Sequence, residues 1–155
     1  MLRNVFIHEQ KAVDATLIAH ADLVTGMGVV RGADGKTAFP AAATSDNIFV
    51  VDKLRIADGV YASNMYLPDS HDAYVKVASG DRVKLRKMTA GEMFDVDQVA
   101  STAPAAGAAV SVGTDGKWAA TASGKSSIYV CRGTVLSAGK TLYRIEVLDT
   151  AITVA

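Results

Sequence analysis

Asp-Gly pairs stand at Asp34-Gly35, Asp58-Gly59 and Asp115-Gly116, and two more glycine turns follow at Ser79-Gly80 and Ala138-Gly139. Asp-Gly suits turns that need positive φ, and tight hairpins favour it. Punctuation this frequent leaves room only for short regular elements. The runs between the turns read as strands. Asn47-Ile48-Phe49-Val50-Val51 is one. Lys76-Val77 and Val83-Lys84-Leu85 alternate polar with apolar around Ser79-Gly80. Ala109-Val110-Ser111-Val112 and Lys117-Trp118-Ala119 flank the turn at 113–116 as a hairpin. Ser127 to Cys131 and Leu142 to Leu148 make the clearest pair, the second with Arg144 and Glu146 on the face opposite its apolar residues. The pattern predicts an all-β (mainly β) fold, a compact antiparallel sandwich or barrel with few short helices.

Helical signals are weaker. Thr89 with Glu92 three residues on has the spacing of a capping box, yet Gly91 sits inside and Met93, Asp95 and Asp97 alternate with Phe94 and Val96. The alternation predicts a strand. Residues 12–21 contain helix formers, but Val13, Thr16 and Ile18 are β-branched, and both assignments stay open.

A chain of 155 residues is long enough for one sizeable core. Hydrophobic residues are 50 % and aromatics only 6 %, so Ala, Val, Ile and Leu must carry the apolar surface. Sixteen basic residues balance sixteen acidic ones. That balance argues against nucleic acid or an anionic membrane as partner, and it removes charge repulsion between copies. Cys131 is the one cysteine, which rules out an intramolecular disulfide framework. The first residues lack the apolar core of a signal peptide and no run reaches membrane-spanning length, so synthesis in a cytoplasm is expected. Residues 1–10 form a candidate N-terminal arm and 11–155 a single β-rich domain. Within that arm Leu2, Arg3, Val5, Phe6 and Ile7 suit strand addition to a neighbouring sheet. An ordinary first strand of the same domain fits them equally well.

Few residues suggest chemistry. Ser70-His71-Asp72 has the residue types of a hydrolase triad, but triad members come from different segments, and the Pro68–Asp72 stretch reads as a polar loop. His8 and His20 have no partner at metal-ligand spacing. Asp95 and Asp97 share a strand face and could hold a hard cation, though a solvated face is the commoner reason for such a pair. Gly26-Met27-Gly28-Val29-Val30-Arg31-Gly32 departs from the dinucleotide fingerprint and reads as strand bends. Arg82, Lys84, Arg86 and Lys87 form the densest basic cluster, better explained as a strand face than as a nucleic-acid contact, since no aromatics interleave for base stacking. Trp118, Tyr61 and Tyr66 would serve a sugar site if exposed. No catalytic residue, cofactor or metal is assigned.

One succession of segments stands out: Ala78-Ser79-Gly80-Asp81-Arg82-Val83-Lys84-Leu85, then Gly91 to Val99, then Val110 to Trp118, then Tyr129-Val130-Cys131-Arg132-Gly133-Thr134. Over residues 76–150 it resembles the capsid decoration (cement, head-stabilising) proteins of tailed bacteriophages. The resemblance implies a non-enzymatic virion protein on the outer capsid surface that bridges major capsid subunits as a homo-oligomer, dimer or trimer. A carbohydrate- or ligand-binding β-module on a virion or cell surface is the alternative. A trimeric β-barrel hydrolase drawing on Ser70, His71, Asp95 and Asp97 is a third reading with less behind it.

Overall fold

The computed structural model describes residues 2–6, 13–52 and 75–155. Thirteen strands lie in them: β1 (Leu2–Phe6), β2 (Val13–Asp14), β3 (Leu23–Val24), β4 (Gly28–Arg31), β5 (Thr37–Ala38), β6 (Phe49–Asp52), β7 (Lys76–Val77), β8 (Lys84–Arg86), β9 (Met93–Val96), β10 (Ala109–Val112), β11 (Trp118–Ala120), β12 (Ser126–Ser137) and β13 (Lys140–Thr153). They form a six-stranded sheet in the order β1-β9-β13-β12-β10-β11, a five-stranded sheet β2-β8-β6-β4-β5, and a two-stranded sheet β3-β7. Every strand pair is antiparallel. The all-β expectation holds, and no long helix occurs among the described residues.

The layering follows from β6. Its run Phe49-Val50-Val51 is apolar without a break, the mark of a strand covered on both faces. Side chains alternate across a strand, so Val50 and Ile48 enter one core while Val51 enters another. The first core lies between the five- and six-stranded sheets and contains Phe94, Val96, Val110, Val112, Trp118, Tyr129, Cys131, Ile145 and Val147. The second joins Val29, Val51 and Leu85 of the five-stranded sheet to Leu23 and Val77 of the two-stranded one. The described residues therefore form a sandwich with a third small layer.

Trp118 sits at the centre of the larger core with no exposed surface. Its ring lies 5.0 Å from that of Tyr129 in a T-shaped contact and 5.6 Å from Phe94. Its indole N–H donates to the Gly26 carbonyl at 2.9 Å, tying β11 to the turn between β3 and β4. Gly28 lies against Val112 so closely that a Cβ there would come within 2.4 Å of a Val112 methyl. The glycines of 26–32 thus serve a turn and a close strand approach. Thr44 and Val112 exchange both main-chain hydrogen bonds, adding a further stitch between the layers.

Three places gain local detail, and the strand expected from the alternation at 93–97 is present as β9. Lys76-Val77 and Val83-Lys84-Leu85 flank a real turn at Gly80 (φ 91°), but β7 pairs with β3 while β8 pairs with β6 and β2. The capping-box pair closes a turn in place of a helix. The Glu92 carboxylate accepts from the Thr89 N–H at 2.8 Å, and Gly91 at φ 83° turns the chain into β9. Residues 12–21 resolve, where described, into β2 and irregular backbone.

Candidate functional site

Apart from Arg82, which is exposed, the residues singled out for chemistry are occupied with structural work or lie outside the described residues. His8, Ser70, His71, Asp72, Tyr61, Tyr66 and Ile7 fall in the latter group. Asp95 is fully buried and receives two hydrogen bonds from Arg144, Nε to Oδ1 at 2.9 Å and an amino group to Oδ2 at 3.1 Å. This bond to Asp95 raises the Arg144 pKa above its ordinary value. The register also places Arg3 across from Asp95 on the opposite flank, so an Arg–Asp–Arg row crosses three strands. Asp97 turns to Lys140 at 4.0 Å and accepts from Gln98. The pair therefore faces cations already built into the sheet. Among the described residues no cluster of three or more His, Cys, Asp or Glu is placed to hold a metal ion.

Three members of the basic cluster, Lys84, Arg86 and Lys87, are similarly engaged. Lys84 and Arg86 flank Asp52 at 3.3 and 2.6 Å, the second an ion pair whose angle falls short of a hydrogen bond. Lys87 lies over the Phe49 ring at 5.1 Å, with Arg31 on the same ring at 4.9 Å. Burial pushes the Lys87 pKa down. His20 is bonded through Nδ1 to the Thr37 hydroxyl at 2.8 Å and packs edge-on against Phe39; burial lowers its pKa. Burial of Trp118 withdraws it from any sugar site. Cys131 is buried, its Sγ 3.8 Å from the carbonyls of Pro104 and Gly133.

Leu2 to Phe6 form β1, an edge strand paired to β9 of the same chain from Leu2↔Val96 to Phe6↔Met93. Leu2 packs against the main core. The strand addition proposed for an arm is thus made within one chain here, with β1 forming the rim of the six-stranded sheet.

A surface that the strand assignments from sequence did not reach is the far end of the β12–β13 hairpin. The two strands stay paired to Ser137↔Lys140. Ala138 (φ 49°) and Gly139 (φ 74°) close them as a two-residue type I′ turn. Neighbouring strands stop earlier: β9 meets β13 only over 143–146, and β10 meets β12 only at Tyr129 and Val130. Among the described residues no third strand flanks 134–142, which stand as a two-stranded ribbon with Leu142 at its base fully buried. Leu136 near its tip is 75 % exposed, the most exposed large apolar side chain described. The sequence signal was present in the uncharged run Gly133-Thr134-Val135-Leu136-Ser137 and the Ala138-Gly139 turn. It was missed because the tip is held by strand pairing, and its exposed residues 136 and 138–141 give no apolar pattern.

Leu136 on this paired ribbon is open to contact with another surface. No protein-family model, no curated protein and no solved structure matches this chain.

Proposed function

We propose that this chain is a structural, non-enzymatic protein of a tailed-phage virion. It binds the outer capsid surface and stabilises the shell by bridging major capsid subunits. It is made in the host cytoplasm, acts as a homo-oligomer, and uses no cofactor. The observation that carries the reading is the β12–β13 ribbon, which holds the exposed Leu136. Further support comes from the segments on which the resemblance rests. Gly80-Asp81 leads into β8, 93–96 form β9, 110–118 lie in the β10–β11 hairpin, and 129–134 lie in β12. A body with two apolar cores and neutral net charge suits a clamp that must stay folded while strained between subunits. Individually weak contacts repeated over a lattice gain strength through multivalency.

The test is to heat capsids from the protein's source with and without it and follow release of their DNA. A higher release temperature in its presence supports the reading. Equal temperatures, with the protein folded and in excess, refute it.

A further inference from the structure

The edge of β12 changes character along its length. In an antiparallel pair, residues alternate between turning their main-chain groups to the partner strand and turning them away. The two-residue turn makes Ser137 and Lys140 a hydrogen-bonded pair. Counting back, Leu136 and Thr134 direct their N–H and C=O groups outward, away from β13. The register shift between Cys131 and Gly133 resets the count, so that Cys131 also faces outward. Cys131 uses its outward groups: its N–H donates to Ala108 at 2.9 Å and its carbonyl accepts from Gly107 at 2.7 Å. Thr134 and Leu136 have no such main-chain partner among the described residues. Among the described residues these four main-chain groups have no partner, on a strand edge that carries an exposed leucine.

Edges of this kind are normally blunted by lysine, proline or a covering segment. Here the edge reads Gly133-Thr134-Val135-Leu136-Ser137, with neither charge nor proline. We propose that this edge pairs with the same edge of a second copy of the chain, antiparallel and about a two-fold axis at Val135. Thr134 then stands opposite Leu136 of the second copy, and the reverse, closing four main-chain hydrogen bonds. Leu136 and the Thr134 methyl of the other copy share one face. Arg132, held by Glu146, falls opposite Ala138, and Lys140 lies on the far strand, so no like charges are brought together. A foreign strand would satisfy the same main-chain groups, but an uncharged edge symmetric enough to oppose itself, on a chain of zero net charge, favours a second copy. The result is one four-stranded ribbon joining two bodies. The inference rests on the homo-oligomer of the proposed function and gives it an interface, while its test on the free protein is separate from that of capsid binding.

The test uses the full chain in solution without capsids. Sedimentation velocity is run from roughly 1 to 500 µM, because a contact this small belongs to the weak class of interfaces. The wild-type chain is expected to shift from monomer to dimer across that range. Leu136→Lys, at a position already in solvent, is expected to weaken the association at least about tenfold while leaving the circular dichroism unchanged. Val135→Cys under mild oxidation is expected to cross-link to itself. At the axis the Cα atoms of a non-hydrogen-bonded pair are about 4.5 Å apart, within disulfide reach. Thr134→Cys, more exposed but offset from its own copy by two residues, or about 6.8 Å along the strand, is expected not to. The wild type, run beside both, reports any contribution from Cys131. A chain that stays monomeric throughout, a trimer in place of a dimer, or equal cross-linking of the two cysteine variants would each overturn the proposal.

Discussion

Replacing Trp118 with phenylalanine tests how the layers are held together. The indole N–H is the donor to the Gly26 carbonyl, across 92 positions of sequence. Phenylalanine keeps most of the contact with Tyr129 and Phe94 but leaves that carbonyl buried and short of its donor. An unsatisfied buried group costs about 1–3 kcal/mol. The smaller ring leaves a partial void worth about 1 kcal/mol more. The sum, about 2–4 kcal/mol, corresponds to a drop of about 4–16 °C in Tm for a domain of this size. Far-UV circular dichroism is the assay, because Trp118 is the only tryptophan and the variant has no indole fluorescence. Urea melts should show a lower midpoint at unchanged slope. A loss under about 1 kcal/mol would refute the reasoning. So would ready quenching of the wild-type fluorescence by iodide in the folded state, since the ring has no exposed surface.

Other substitutions probe separate links. Tyr129→Phe is expected to be neutral or to stabilise by up to about 1 kcal/mol, because the Tyr129 hydroxyl is buried with no hydrogen-bond partner among the described residues. Burial also raises the Tyr129 pKa well above the ordinary tyrosine value. Its contribution to stability is therefore complete below about pH 10 and is lost as pH rises beyond it, so alkaline melts of the variant should fall less steeply than wild type. Gly28→Ala forces a Cβ to 2.4 Å from the Val112 side chain and should cost about 1–3 kcal/mol; chemical denaturation of Gly28→Ala with Val112→Ala should show less than the sum of the two. Arg144→Met removes the bidentate partner of buried Asp95. It should cost about 1–3 kcal/mol by urea titration, less than for a fully buried pair because Arg144 keeps 29 % of its side-chain surface.

What could be read in advance was local. Phe49-Val50-Val51 announced a strand, and its unbroken apolarity carried the information that both faces would be covered. The β10–β11 hairpin and the paired ends of β12 and β13 followed from alternation and turn residues. Pairing between distant segments was not readable. Nothing near Lys76 indicates that β7 belongs with β3, because that choice is made by Leu23 and Val77 meeting in the smaller core. The same limit applied to the carboxylates. Asp95 and Asp97 looked like a pair that could take a cation, and only the register of β13 reveals that Arg144 arrives beside Asp95. The ribbon end was hidden for a different reason. Its residues alternate between half-buried and exposed without an apolar stripe, so the hydrophobic signal fades where the pairing continues.

The central claim is that this chain works by binding a protein shell, and its most direct test is co-sedimentation with capsids from its source. Wild-type protein is expected to pellet with capsids at saturable stoichiometry and to remain in the supernatant alone. A folded protein that stays in the supernatant at every ratio to capsid would contradict it.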